Sequence, residues 1–426
     1  MDDPHAWHGQ PHVLSAIRSD FADRREWIAR CVVLAYAALA GASVVGFTWL
    51  CERTLQAFMR LTAWQPLTPF IWTPLVCAAV VWVTRRWFPG AAGSGIPQVI
   101  AALRPEVPAT ARGRFVSLRL ALAKAALTAT GLLGGLAIGR EGPSVQIAAG
   151  VMLHARRWLP HGVSIKSHGL LVAGGAAGIA AAFNAPLAGV MFAIEELTSR
   201  IEQRSSGLVV AAIVLAGLIA VSAFGNSTYF GVIRVAPLHL DFIGPAILVV
   251  LSAGLLGGLF SRLLHVSTVG GTDVFSGWKK RHPVRFAAGC GLAIACIGWA
   301  SGGATFGSGY DFTKSLLAGH ASPPLLYVTL RLGATWLALW SGVPGGLFAP
   351  SLAIGAGIGS DVAVLCAQHD VSPALIALGM ASFLAAITQA PVTAFIIVME
   401  MVDGHSMVLS LMAAALLASL IARWIA

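Results

Sequence analysis

The chain has 426 residues, of which 57% are hydrophobic and only 11% charged, and its mean hydropathy is +0.78. Soluble domains carry about 25% charged residues, so this composition excludes an ordinary soluble domain and points to an integral membrane protein with no nucleic-acid partner. The formal net charge of +10 has two readings, cationic loops on the cytoplasmic side or attraction of anions, and composition alone does not separate them.

Residues 1–30 are polar and include Arg18, Arg24, Arg25 and Arg30, and the apolar run that follows is too long for a cleaved signal core. Arginine next to the first span predicts a cytoplasmic N-terminal segment. The uncharged runs 31–50 (CVVLAYAALAGASVVGFTWL) and 207–224 (GLVVAAIVLAGLIAVSAF) have the length of spanning helices. Apolar stretches are continuous rather than alternating, which disfavours a membrane barrel, so the expected fold is an all-α polytopic bundle.

Three strings in chain order place small residues and a proline at a helix start: GSGIPQV (93–99), GREGPSV (139–145) and GGLFAPSL (345–352). Proline suits the first helical turn, and glycine lets a ligand approach the backbone closely. The first N–H groups of a helix lack partners and the peptide dipoles add positive potential, so each start is a candidate anion site. Most other glycine clusters, at 131–135, 174–178 and 355–359, are read as close helix packing.

The chain also repeats itself. PSVQIAAG (143–150) overlays PSLAIGAG (350–357), and AFNAPLAGVMFAIEE (182–196) overlays ITQAPVTAFIIVMEM (387–401), placing Glu195 over Glu400 and Glu196 over Met401. A lone cation precedes each Pro-Ser by nineteen positions, Lys124 in one half and Arg331 in the other. Either cation could raise the potential along a pathway or neutralise a nearby acid. Duplication predicts two transmembrane repeats, 31–230 and 231–426, with the polar stretch 226–240 as the seam and 271–285 as a basic cytoplasmic loop.

The six cysteines, at 31, 51, 77, 290, 296 and 366, show no CxxC pair and are read as core fillers. The twelve histidines show no ligand spacing, so neither a metal nor a cofactor is expected.

As a set, GSGIP, GREGP and GGxFxP resemble the CLC family of chloride channels and chloride/proton exchangers, in the family's order, over roughly residues 31–425. The resemblance implies two inverted-topology repeats of tilted and broken helices. It implies that the Ser94 hydroxyl and the N–H groups of Leu347 and Phe348 hold a central chloride. The amides around Arg140, Glu141 and Gly142 would form an outer site, and a serine at position 94 goes with chloride rather than nitrate.

Glu141 would be the gate, a carboxylate able to occupy an anion site itself. Burial and the dipole act on its proton affinity in opposite senses, so proton exchange near neutrality is expected. Glu196 matches the family's intracellular proton-relay acid and favours an exchanger over a passive voltage- or pH-gated channel. The partners implied are chloride, protons, the lipid bilayer and a second copy in a homodimer, in a cell membrane of the bacterial inner-membrane type.

The family's further short helix with an inner tyrosine has no counterpart before the chain stops at SLIARWIA; the four tyrosines are at 36, 229, 310 and 327. That final helix is therefore expected to be missing. Two other readings fit the sequence less well. A fluoride exchanger is disfavoured by the intact GSGIP, and an intramembrane serine protease would need a histidine such as His265 or His405 beside Ser94.

Overall fold

The computed structural model describes residues 24–425 apart from 109, 164, 199–202, 226–227, 234–239, 271–273, 322, 325 and 369–370. Most of the N-terminal segment, and parts of the expected seam and basic loop, lie outside the described residues.

The first half runs through α1 (Arg24–Trp64), α2 (Pro69–Trp87), α3 (Ile96–Leu103), α4 (Leu118–Leu133), α5 (Glu141–His154), α6 (Ser167–Phe183), α7 (Pro186–Phe192) and α8 (Gln203–Phe224). The second runs through α9 (Ile243–Val269), α10 (Val274–Arg281), α11 (Pro283–Ala300), α12 (Tyr310–Leu317), α13 (Tyr327–Ser341), α14 (Phe348–Leu365), α15 (Ser372–Thr388), α16 (Pro391–Met401) and α17 (Val408–Ile425). Among the described residues the protein is all-α, and six helices are long and apolar enough to cross a membrane. It is a multi-pass membrane protein. The apolar run at 31–50 is the middle of a single helix of 41 residues.

Local chemistry sets the boundaries. Proline opens α2, α3, α7, α11, α15 and α16 within their first two positions, where its missing N–H costs nothing. Asn184 ends α6 at φ 53° and Gln389 ends α15 at φ 59°, each in the left-handed conformation that terminates a helix.

Apart from α10, the two halves match helix for helix. α5 lies against α6 as α14 lies against α15, and α1 lies against α8 as α9 lies against α17. Matched helices also meet each other: α2 packs on α11, and α7 on α16. Contacts of this kind require the halves to face one another about a pseudo-two-fold axis. The axis passes through a mutual hydrogen-bonded pair, in which Gly139 N donates to Gly346 O at 2.8 Å and Gly346 N to Gly139 O at 2.7 Å.

The acids aligned in the sequence obey the same symmetry. The Glu195 carboxylate accepts from Val392 N (3.1 Å) and Thr393 N (2.6 Å) at the start of α16. Glu400 accepts from Leu187 N (3.1 Å) and Ala188 N (2.7 Å) at the start of α7. Each caps the helix of the other repeat, supplying the acceptor that unpaired amides need.

Helices α5, α6, α14 and α15 are buried on nearly every side, so their contact faces are built from small residues. A methyl at Gly174 would stand 2.7 Å from the Cα of Ala149, closer than carbon atoms approach. The cysteines divide: Cys51, Cys77 and Cys290 are buried, but Cys31 and Cys296 are on the outer surface rather than in the core, and all six are free thiols.

Candidate anion site

Two helix starts and one loop converge at the axis. The Gly139–Gly346 bridge holds the residues just before α5 and α14 together, so both helices begin side by side. The third motif joins them: Gly345 N donates to Gly93 O (3.1 Å), and a methyl at Gly142 would stand 2.8 Å from the Ser94 carbonyl oxygen and 3.3 Å from the Cα of Gly346. Ser94, Gly142 and the start of α14 therefore surround one small region, and glycine at 142 is what lets them approach.

The Ser94 loop is held from behind. Lys124, wholly buried on α4, donates from Nζ to the carbonyl oxygens of Ala91 (2.9 Å) and Gly93. Gln146 Nε2 donates to Gly90 O (2.9 Å) and Phe115 O (2.7 Å). In the other repeat, Arg331 donates to Thr305 O (2.8 Å) and Gly307 O (2.9 Å). These are equivalent positions: Gly307–Ser308–Gly309 is a second GSG, with φ of +66° and +86° at its glycines against +70° and +109° at Gly93 and Gly95. Among the described residues neither cation binds a carboxylate, so of the two readings open from the sequence, direct neutralisation of an acid is not what they do here. Both clamp the glycine loop that precedes a short helix.

Glu141 is completely buried. Its Oε2 accepts from Ala349 N at 3.3 Å, in the first turn of α14, and its Oε1 has no hydrogen-bond partner. The side chain thus starts from one repeat and lies on the unpaired amides of the other. Phe348, at the same helix start, stacks with Phe183 at 6.3 Å between ring centroids and meets Phe192 edge-on at 6.4 Å, closing that side with aromatic rings. Leu347 is the residue in the cap position of α14.

Arg140 directs its side chain elsewhere. Its guanidinium binds Glu52 of α1 at 2.8 Å and the Tyr229 hydroxyl at 3.1 Å, and lies within 6 Å of the Tyr229 and Tyr310 rings. Tyr310 OH donates to Tyr229 O at 2.8 Å, so the two tyrosines form one wall of a vestibule of about 220 Å³ beside Arg140. Any part Arg140 has in anion binding runs through its main chain and its field. Glu52, Tyr229, Tyr310, Phe183 and Phe192 were not found in the sequence; no motif marks them, because only the fold brings them here.

Glu196 sits on a π-helical turn, Ala193–Leu197, that extends α7 and packs against α3. Glu195 spends its carboxylate on α16, whereas Glu196 makes no hydrogen bond to a described residue and is half-buried. No described histidine reaches Ser94, and His405 instead lies 3.4 Å from Asp403.

Comparison with known proteins agrees with this architecture. The family model described as "Voltage gated chloride channel" matches residues 76–423. The protein named H(+)/Cl(-) exchange transporter ClcA from Cronobacter sakazakii is 29% identical over 412 residues, covering 91% of this chain and 85% of its own. A slow cyanobacterial Cl-/H+ antiporter structure superposes with a TM-score of 0.77 at 23% identity, covering 93% of this chain and 94% of its own. A CLC-type fluoride/proton antiporter gives 0.75 at 21%, with the same coverage. With paired helix starts, a mutual glycine bridge and a buried acid across it at the positions of its motifs, and with the family model matching residues 76–423, the chain belongs to the voltage-gated chloride channel (CLC) family.

Proposed function

We propose that this protein exchanges chloride for protons across the membrane. The Cronobacter sakazakii relative has that exchange in its name. The observation that carries the reading is the Glu141 carboxylate, buried and seated on the Ala349 amide at the start of α14. A carboxylate and a halide are drawn to the same unpaired N–H groups, so they compete for one position. Protonation removes the charge that holds the side chain there; it withdraws and the anion enters. Loss of the proton returns the carboxylate and expels the anion, which links the two movements.

In this reading the Ser94 hydroxyl and the N–H groups of Leu347 and Phe348 hold a central chloride. The main chain of Arg140, Glu141 and Gly142 holds an outer one. Glu196 passes protons on the cytoplasmic side, supported by its position on the turn beside α3 and by its freedom from the capping bond that occupies Glu195. The N-terminus is cytoplasmic, the membrane is of the bacterial inner-membrane type, and two subunits with separate pathways form a homodimer.

The test is the full chain in liposomes under an imposed chloride gradient, with chloride and pH followed together. Uphill proton movement is expected, and Glu196→Gln is expected to abolish it while chloride flux persists. Fast chloride flux with no proton movement in the wild type selects the second reading, a passive channel. The description of the matching family model as a voltage gated chloride channel is the observation that favours it.

A further inference from the structure

A recess rich in arginine lies away from the anion site. It has a volume of about 770 Å³ and opens between the start of α4 and the end of α5. Arg112 comes from the turn before α4, Arg119 from the first turn of α4, and Arg156 and Arg157 from the turn after α5. No acidic residue lines it, and among the described residues none of the four arginines forms an ion pair. Arg112 Nε is buried with no hydrogen-bond partner among the described residues. Arg156 donates to the hydroxyl of Ser167, a buried residue in the recess wall.

Arg112, Arg156 and Arg157 line one concavity with a buried donor unused and no acid beside them, and Arg119, whose guanidinium stacks on the Phe88 ring at 5.3 Å, adds its charge at the edge, so the cluster repels itself and attracts an anion. Planar guanidinium forks match phosphate oxygens two at a time. Leu118 of the recess wall is exposed, as are Leu122, one turn further along α4, and Trp158, which follows Arg157 in the chain. Tryptophan beside exposed leucines marks the level where headgroups meet acyl chains. Tyr36, the thirteenth of the 41 residues of α1, lies 6.1 Å from the His154 ring, so the recess is level with the N-terminal third of α1, the cytoplasmic side in the orientation proposed above.

We propose that this recess binds the phosphate of an anionic membrane lipid, with its acyl chains lying along Leu118 and Leu122. A bound headgroup joins the start of α4 to the end of α5. Ser117 caps α4 by accepting from Leu120 N (3.3 Å), and a methyl at Gly150 of α5 would stand 3.0 Å from the Ser117 carbonyl oxygen. The same two helices carry Lys124, which clamps the Ser94 loop, and Glu141. Occupancy of the recess therefore bears on the position of both. The recess requires no assumption about which ion is carried.

The test uses the full chain in zwitterionic detergent, titrated calorimetrically with dioctanoyl phosphatidylglycerol, dioctanoyl phosphatidylcholine and inorganic phosphate. Saturable binding of the phosphatidylglycerol is expected, with no binding of the phosphatidylcholine and phosphate weaker by more than about tenfold. Arg112→Gln with Arg157→Gln should weaken phosphatidylglycerol by about tenfold or more. Arg281→Gln, which removes an exposed cation from α10, should leave it unchanged. An unfolding midpoint and elution volume equal to wild type show that the double variant is folded, and Arg112→Lys with Arg157→Lys, which keeps the charge, should recover part of the affinity. Unchanged phosphatidylglycerol binding in the folded double variant, or an equal loss in Arg281→Gln, overturns the site. Inorganic phosphate binding as tightly as the lipid overturns the lipid assignment.

Discussion

Gly139 and Gly346 exchange both of their main-chain hydrogen bonds, at 2.8 and 2.7 Å, although 207 positions separate them. They are equivalent residues of the two repeats, so the pair fixes the symmetry axis and aligns the first turns of α5 and α14. Every group assigned to the anion site lies within a few residues of that bridge or of the Ser94 loop bonded to it.

Glu141 is the first point to test. A carboxylate competing with chloride is removed by protonation, so wild-type chloride flux should rise as pH falls and decline as pH rises. In Glu141→Ala no side chain competes, and flux should become independent of pH with proton coupling lost. Flux against pH in liposomes, wild type beside variant, gives the answer; identical profiles would remove Glu141 from the gate.

Gly142→Ala places a methyl 2.8 Å from the Ser94 carbonyl oxygen. Since backbone cannot yield there as a flexible side chain would, the Ser94 loop must move away from the start of α5. Chloride affinity measured by calorimetry should fall by about tenfold or more, equivalent to about 1.4 kcal/mol, in a protein that still elutes as the wild type does.

Lys124→Met and Arg331→Met should separate two roles that look alike. Each leaves two buried carbonyl oxygens without their donor, at a cost of about 1–3 kcal/mol per site. Only the Lys124 loop carries Ser94. Both variants should lower the unfolding midpoint, but chloride affinity should drop mainly in Lys124→Met. Equal affinity losses would show that the cations act through their charge rather than through the loops.

Glu195→Ala and Glu400→Ala each uncap one helix of the opposite repeat. A cap of this kind contributes about 0.5–2 kcal/mol, and two distinct helix starts are involved, so the double variant should lose close to the sum. Denaturant titration of the two singles and the double measures this directly. A double variant no worse than either single would mean that the caps form one unit.

Much of the fold was legible because its signals are local. Proline positions marked where helices begin, and the overlay of residues 143–150 on 350–357 showed the duplication before any contact was known. One repeat lies out of register: GSG at 93–95 recurs at 307–309 with an offset of 214 rather than 207, so a fixed overlay passes it by. Of the site, the sequence supplied Ser94, Glu141, Gly142, Leu347 and Phe348, and the structure brings the motifs that contain them together. It did not supply the partners.

The sequence by itself determined a membrane-embedded, duplicated bundle of helices and the chemical groups at three of its helix starts, because hydropathy, proline and glycine act on their own neighbourhood of the chain. Tertiary structure alone decided that Glu141 lies on the Ala349 amide, that Arg140 turns to Glu52, and that Lys124 holds carbonyl oxygens rather than an acid. These pairings span 208, 88 and 33 positions. A buried polar group takes whichever partner packing brings within reach, and packing is a property of the assembled helices.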